Sequence, residues 1–246
     1  LEKLLVSIAK KLEAENSIKI DFETNLIVTS GATEGLSVIL QTILEPGDEV
    51  IIDDPCFHGF AFKVKFARGN CVRVPLLRKN GFKFSIEELS KRITPKTKAV
   101  MFCNPDNPTG LVRSTEDLKK ISELSEKHNF YVIVDEAYER FTYDNNQHVS
   151  ILSLDIPSSK IIIVQSASKT FHMHGWRVGW IVASKEIIDM LIDSHASLVH
   201  CPASFSQAGV AVALDDRLGE GDIPIKKLVG LYKEKRDIMV DGLNQI

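Results

Sequence analysis

The sequence predicts an α/β fold: a three-layer αβα sandwich around a mostly parallel, seven-stranded sheet with one antiparallel strand. Seven short apolar runs rich in β-branched residues alternate with segments that have the spacing of amphipathic helices. The connection between the last two runs, residues 167–176, contains a glycine and has no helical period. Because a parallel crossover usually needs a helix, we expect the last two strands to be antiparallel.

The chain begins with an amphipathic helix, in which Leu4, Ile8 and Leu12 recur at every fourth position. Strands are then predicted at residues 26–29, 50–52, 72–76, 99–103, 131–134, 161–164 and 178–182. Helices are predicted between several of these strands. Two of them begin at capping boxes, in which Ser85 and Ser114 each precede an acidic residue by three positions.

The chain contains no linker, repeat or low-complexity segment, so we expect residues 1–246 to form a single domain. The apolar residues of the last stretch, from Ile225 to Leu243, have helical spacing and continue to the end of the chain. A long helix without a terminator suggests that a further domain follows it. The chain also opens at Leu1 rather than at a methionine, which suggests that residues precede it.

The composition argues against several functional classes. With 44% hydrophobic and 26% charged residues the chain matches average globular proteins, and its net charge of −3 does not favour a nucleic-acid partner. Its longest apolar runs are far too short to cross a membrane. The four cysteines are widely separated and lack metal-ligand spacing. We therefore expect buried, reduced thiols, a cytoplasmic location and no metal site.

Ligands of open α/β sheets bind beyond the carboxyl ends of the strands, so the residues that follow each strand are candidates for function. Residues 30–35, Ser-Gly-Ala-Thr-Glu-Gly, turn from the first strand directly into a helix, whose N-terminus carries about half a positive charge and suits a phosphate. Two Asn-Pro pairs follow residues 99–103 and form a rigid turn that can orient an amide. An alternative remains open for each segment. Residues 30–35 could form a turn that binds no ligand, and the Asn-Pro pairs could belong to an ordinary loop.

Two ionisable residues follow the next two strands. Asp135 ends a buried strand, where a carboxylate needs a cation unless it only caps the next segment. Lys169 lies in a turn of small residues, where burial can lower the pKa of an amine and make it nucleophilic, although most lysines are simply solvated. A phosphate cradle, a rigid asparagine, an acid and a lysine at one sheet edge form the set that pyridoxal phosphate (PLP) requires.

In five ordered motifs the chain resembles the large domain of the class I/II aminotransferases, the aspartate aminotransferase superfamily of fold-type I PLP enzymes. The resemblance implies that Lys169 forms a Schiff base with PLP and moves a proton on the substrate. It also implies that Asp135 pairs with the pyridine nitrogen and that Asn107 and Tyr138 donate hydrogen bonds to the phenolic oxygen. Phe57 matches the aromatic residue that stacks on the ring.

The resemblance also implies a phosphate site. The arginine of Gly-Trp-Arg-Val-Gly, eight positions after the lysine, matches the phosphate-binding arginine of the family. The implied phosphate ligands are Gly31, Ala32, Thr33, Ser166 and Arg177. We expect His172 and His174 to pack in their loop or contact substrate rather than bind a metal. We expect Trp176 and Trp180 to pack against the sheet.

The family resemblance implies an aminotransferase that moves an amino group between an L-amino acid and a 2-oxo acid through pyridoxamine phosphate. These small molecules would be its partners, and the assembly would be a homodimer. A C–S lyase or a synthase on the same fold, and a non-catalytic PLP-sensing domain of a regulator, remain alternatives. Members of the family are longer at both ends, so we expect residues 1–246 to be the PLP-binding large domain without the N-terminal arm and the C-terminal small domain.

Overall fold

The computed structural model describes residues 1–217 and 222–245 of the chain. The strands β1 to β7 are Leu26–Thr29, Glu49–Asp54, Asn70–Pro75, Thr97–Cys103, Tyr131–Asp135, Ile161–Ser166 and Gly179–Val182. The helices α1 to α9 are Glu2–Asn16, Ala32–Ile43, Gly59–Phe66, Ile86–Ser90, Thr115–His128, Ala167–Thr170, Lys185–Leu198, Ser204–Arg217 and Asp222–Leu243. Within the described ranges, none of the helices combines the length and the apolar character that a membrane span needs.

All seven strands join one sheet in the order β1-β7-β6-β5-β4-β2-β3. β7 is antiparallel to both β1 and β6, and the other neighbours are parallel. This arrangement confirms the predicted fold class, including the antiparallel pairing of the last two strands. The carboxyl ends of β1, β2, β4, β5 and β6 therefore lie at the same edge of the sheet, which is where the chain places its candidate site.

Helices cover both faces of the sheet because its strands are apolar on both sides. Along β5, Val132 and Val134 pack into one core, whereas Ile133 packs into the other. The first core lies under α1, α4, α5 and α8, and the second lies under α2, α3 and α7. Continuous valine and isoleucine runs are typical of strands buried on both faces.

The two predicted capping boxes begin helices, as expected. The Ser114 side chain accepts a hydrogen bond from the Asp117 amide at 3.1 Å, and α5 starts at the next residue. The Ser85 side chain accepts one from the Glu88 amide at 3.2 Å, and the short helix α4 follows. Each cap satisfies a first-turn amide that has no partner within the helix.

Two expectations about single residues are wrong. Trp180 is buried in the sheet as predicted, but Trp176 is 44% exposed because it lies in the turn before β7, with its ring against Gly209 of α8. Cys103 is a buried thiol, whereas Cys201 is exposed because it lies in the connection between α7 and α8. The presence of a tryptophan or a cysteine does not by itself predict whether that segment of the chain faces the core.

Candidate active site

A cavity of about 160 Å³ lies where β4, β5 and β6 end and α2 begins. Its lining includes nine of the ten predicted site residues: Ala32, Thr33, Phe57, Asn107, Asp135, Tyr138, Ser166, Lys169 and Arg177. The tenth, Gly31, directly precedes α2, and an added Cβ would lie 2.3 Å from Nη2 of Arg177. The structure therefore brings all the predicted residues to one place, although they come from distant parts of the chain.

Lys169 reaches the cavity from α6, a helix of four residues that directly follows β6. Ser166 caps this helix, because its Oγ accepts a hydrogen bond from the Ser168 amide at 3.1 Å. The Nζ atom of Lys169 lies 3.4 Å from Nε2 of His174 and 5.4 Å from the centre of the Tyr138 ring. The amine is thus presented to the cavity from the end of a buried strand.

Asp135 is the last residue of β5, and only 8% of its surface is exposed. Its Oδ1 accepts a hydrogen bond from the Ala137 amide at 3.0 Å. Burial raises the pKa of Asp135 to about 6, and Glu136 adds to this rise, whereas the Ala137 hydrogen bond and the charge of Lys169 oppose it. The carboxylate is therefore ionised at neutral pH at a cost in solvation, which a cation in the cavity would offset.

The N-terminus of α2 and Arg177 form a positively charged end of the cavity. Gly31 precedes the helix with a φ of +79°, a conformation that glycine adopts at little cost. Since glycine has no side chain with which to cap the helix, the Ala32 and Thr33 amides lack a side-chain cap and can face an anion, whereas the Glu34 amide donates to the Gly31 carbonyl at 3.2 Å. Arg177 is held beside them: Nη1 donates to the His174 carbonyl at 2.8 Å and Nη2 to the Ser30 carbonyl at 3.2 Å.

Asn107 and Phe57 lie on further walls of the cavity. Asn107 belongs to the turn of residues 104–110, which is closed by Asp106, whose Oδ2 accepts a hydrogen bond from Thr109 Oγ1 at 2.6 Å. The Phe57 ring packs edge-to-face on Phe60, with 5.7 Å between the ring centres. The cavity therefore has one amide-bearing wall and one aromatic wall, an arrangement that suits a flat polar ring.

Two polar residues without a predicted cofactor role, Ser168 and His174, also line the cavity. The Ser168 Oγ accepts a hydrogen bond from Ser166 Oγ at 2.9 Å. From the sequence no role is predicted for Ser168, and only loop packing or substrate contact is predicted for His174. Both lie within five positions of Lys169, and this closeness in the chain is the signal that could have identified them.

A second group of polar residues lies on the opposite face of β5 and β6. This group, the Lys11 cluster, comprises Lys11, Asn16, Glu136, Glu139, His148, Ser150 and Gln165. Glu136, Glu139 and His148 have potential ligand atoms within 4.8 Å of one another, as a metal site would require. However, the Lys11 ammonium already neutralises Glu139 at 2.6 Å. We therefore interpret this cluster as structural.

Comparisons with known proteins agree with this architecture. The family model "Aminotransferase class I and II" matches residues 1–246. An aspartate aminotransferase of Pyrococcus abyssi is 36% identical over 100% of this chain and 63% of its own length. An aromatic-amino-acid aminotransferase of Thermococcus litoralis is 33% identical over 98% of this chain and 61% of its own length. The chain thus spans less than two thirds of the length of these relatives.

Solved structures show the same likeness in three dimensions. An aromatic aminotransferase from Pyrococcus horikoshii superposes with a TM-score of 0.95 at 36% identity, over 100% of this chain and 65% of that one. An aspartate aminotransferase from Thermus thermophilus with maleate gives a TM-score of 0.94 at 31% identity, over 100% of this chain and 63% of that one. From its motifs, its fold and these matches, the chain belongs to the class I and II aminotransferase family.

Proposed function

We propose that this protein is a PLP-dependent aminotransferase, which moves an amino group between an L-amino acid and a 2-oxo acid. The observation that carries the proposal is the convergence of Lys169, Asp135 and Arg177 on one cavity in a chain of this family. Relatives of the chain are named aspartate and aromatic-amino-acid aminotransferases, and we propose these two classes of amino acid as its substrates.

The chemistry of the donor set fits PLP. Because a Cβ on Gly31 would meet the Arg177 guanidinium, the glycine lets the arginine lie directly against the start of α2, where both can offer positive charge to a phosphate. Asp135 offers a carboxylate to the pyridine nitrogen, and Lys169 offers an amine to the aldehyde. The other proposed ligands are Ala32, Thr33 and Ser166 for the phosphate, Asn107 and Tyr138 for the phenolic oxygen, and Phe57 for the ring face.

The residues of the chain have separate tasks in this reaction. When bound, PLP supplies an aldehyde carbon and a ring that accepts electrons from the substrate Cα. Lys169 would hold the cofactor through its amine and, when that amine is free, would accept a proton from the substrate Cα and return it. Asp135 would hold the ring nitrogen in its protonated form, because opposite charges attract more strongly in a buried site than in water. Asn107 and Tyr138 stabilise negative charge on the phenolic oxygen.

We further propose that residues 1–246 form a single PLP-binding domain and that the protein is a cytoplasmic homodimer. The sheet, which is continuous from β1 to β3, supports the single domain. Size-exclusion chromatography with light scattering tests the homodimer, and cell fractionation tests the location. A monomer in the presence of PLP would contradict the proposed assembly.

The absorption spectrum of the protein with PLP tests the proposed role of Lys169. We expect a Schiff-base band in wild type and none in Lys169→Ala. Lys63→Ala is the matched control, because Lys63 is also half-buried and burial lowers its pKa against the opposing charge of Glu34. The Lys63→Ala protein should keep the band. A band that survives in Lys169→Ala, or that is absent from wild type, would contradict the proposal.

Adding amino acids then tests the reaction. We expect aspartate or an aromatic amino acid to bleach the Schiff-base band, and a 2-oxo acid to restore it. Release of ammonia and pyruvate instead would support the lyase alternative. A lysine-dependent band that no amino acid changes would support the sensing domain. The wild-type protein therefore distinguishes all three functions in one titration.

A further inference from the structure

An ammonium group has no lone pair, so Lys169 must lose a proton before it can attack a carbonyl carbon. The structure places an imidazole beside it, because Nε2 of His174 lies 3.4 Å from Nζ. A neutral imidazole accepts a hydrogen bond at one nitrogen and donates at the other. Because an ammonium can only donate, a hydrogen bond in this pair requires Nε2 to accept and the ring proton of His174 to lie on Nδ1.

The backbone of His174 is anchored at the positively charged end of the cavity. The residue begins the short 3₁₀ segment His174–Trp176. Its carbonyl oxygen accepts a hydrogen bond from Nη1 of Arg177 at 2.8 Å, and Nη2 of the same arginine reaches the Ser30 carbonyl at 3.2 Å. The backbone that carries the imidazole is thereby anchored between the lysine and the proposed phosphate end.

Other ionisable groups around the lysine are less suited to accept its proton. The Tyr138 ring, 5.4 Å away, attracts a cation through its face but offers no basic atom there. Asp135 interacts with the lysine charge, and its proposed partner is the ring nitrogen. The ring centres of His172 and His174 are 5.8 Å apart, and Nε2 of His172 contacts the Tyr232 hydroxyl at 3.3 Å. His174 combines a contact with Nζ and a side-chain type that exchanges protons near neutral pH.

We propose that His174 is the proton acceptor of Lys169, an inference that rests on the proposed function of the same site. An N–H bond of the Lys169 ammonium breaks, its electron pair stays on Nζ, and the proton moves to Nε2. The products are a neutral amine and an imidazolium. Because His174 is exposed, the imidazolium can pass its proton to water, and the reverse transfer restores the ammonium.

The rate of Schiff-base formation with PLP, followed between about pH 6 and pH 9, tests this proposal. His174→Gln keeps a hydrogen-bond acceptor but cannot take up a proton. We expect it to lower the rate about tenfold or more near pH 7, since general base catalysis typically contributes about 10²- to 10⁴-fold. The loss should shrink at high pH, where hydroxide removes the lysine proton.

His172→Asn is the control for this experiment, because His172 is a second exposed histidine of the loop and its φ of +53° is one that asparagine tolerates. We expect its rate profile to match that of wild type. Identical profiles for His174→Gln and wild type would overturn the role of His174 while leaving the proposed function intact. Absence of the band from every protein, wild type included, would contradict the proposed function instead.

Nitrogen NMR of the cofactor-free protein provides a test that does not depend on Schiff-base formation. We expect the His174 ring to carry its proton on Nδ1 in wild type, and its Nε2 resonance to shift in Lys169→Ala. Lys63→Ala, which changes a lysine outside the cavity, should leave that resonance in place. A His174 signal that does not respond to Lys169→Ala would also overturn the proposal.

Discussion

The strands β5 and β6 carry two polar groups on opposite faces, the candidate site towards α2 and the Lys11 cluster towards α1. Successive residues alternate between them. Asp135 and Ser166 line the cavity, whereas Glu136 and Gln165 hydrogen-bond to each other at 3.0 Å within the cluster. The same two strands therefore supply both groups, and the difference between the groups comes from what faces them.

The lysines of the two groups show this difference most clearly. Lys11 is fully buried, and its ammonium donates to Asn16, Glu139 and Gln165 at 2.8, 2.7 and 3.0 Å. Lys169 is partly exposed and meets His174 at 3.4 Å, the long end of the hydrogen-bond range. A charge that stabilises the fold is matched by its neighbours, whereas a charge that acts on a ligand faces open space.

The largest effect on stability is expected from Lys11→Met. The substitution leaves the Glu139 carboxylate buried without its cation, and breaking a buried ion pair typically costs about 3–5 kcal/mol. Urea unfolding measures this loss. Lys10→Met, at an exposed position of the same helix, should change the free energy of unfolding by less than about 0.5 kcal/mol. Equal values for the two variants would show that the cluster does not stabilise the fold.

The next largest effect is expected from Asp135→Asn in the cofactor-free protein, which should raise rather than lower the free energy of unfolding. The pKa of Asp135, raised to about 6 from the ordinary 3.8, means that protonation of this group stabilises the fold. This stability is complete below the ordinary value and is lost as the pH rises through about 6. At about 1.4 kcal/mol per pKa unit, the asparagine variant should exceed wild type by up to roughly 3 kcal/mol at about pH 8.

Unfolding of Asp135→Asn at about pH 4.5 and about pH 8 checks the sign, because the gain should fall to about a third of its alkaline value at the lower pH. Glu136→Gln is the comparison from the other face of the sheet. Its side chain accepts hydrogen bonds from Ser150 and Gln165, so that variant should lose stability at both pH values. A destabilised Asp135→Asn protein at pH 8 would contradict the interpretation that the ionised Asp135 carboxylate costs stability.

Gly179→Ala should lower both the stability of the fold and the affinity for PLP, with a smaller loss of stability than Lys11→Met. An added Cβ would lie 2.7 Å from the Ala32 amide nitrogen and 2.8 Å from the Gln165 carbonyl oxygen, which are backbone atoms that cannot move freely. Overpacking of this kind costs about 1–3 kcal/mol, and displacement of the start of α2 should weaken binding of PLP. Thermal unfolding and a PLP titration measure the two losses. Gly175→Ala, whose Cβ would meet open space among the described residues, should behave like wild type.

The smallest effect is expected from the titration of His148 in the Lys11 cluster. Burial lowers the pKa of His148, and the charge of Lys11 lowers it as well. The carboxylates of Glu136 and Glu139 raise the pKa by more than this, so that the net shift is upwards. The ion pair therefore stabilises the fold below the ordinary value of 6.5, and this contribution is lost as the pH rises through the shifted pKa.

His148→Gln should remove that part of the pH dependence of stability. Unfolding measured from mildly acidic to alkaline pH checks this, with His128→Gln, at an exposed position of α5, as the control. The control should keep the wild-type slope. A His148→Gln protein with the same slope would mean that the histidine stays neutral beside Glu136.

The strands were predictable because each is a short apolar run between turn residues, but their ends were not. The strand predicted at residues 161–164 continues to Ser166, since Gln165 pairs with Trp180 in the ladder. Similarly, the strand predicted at residues 50–52 extends to Asp54, opposite Pro75. Hydrophobic patterning ends with the last apolar residue, whereas main-chain hydrogen bonding continues into polar residues as long as a neighbouring strand is present.

The resemblance to a known family pointed to Phe57, Tyr138 and Arg177. By itself, the sequence determined the element types, the antiparallel turn into β7 and the strand-end residues of the candidate site. These features depend on side chains close together in the chain, or on the rule that parallel strands end at one edge. Tertiary structure alone decided the strand order, the exposure of Trp176, and the partners of the buried charges. Lys11 and Glu139 are 128 positions apart, and the sequence around each contains no sign of the other. The partner of a buried charge is set by how the helices pack on the sheet, which no local pattern encodes.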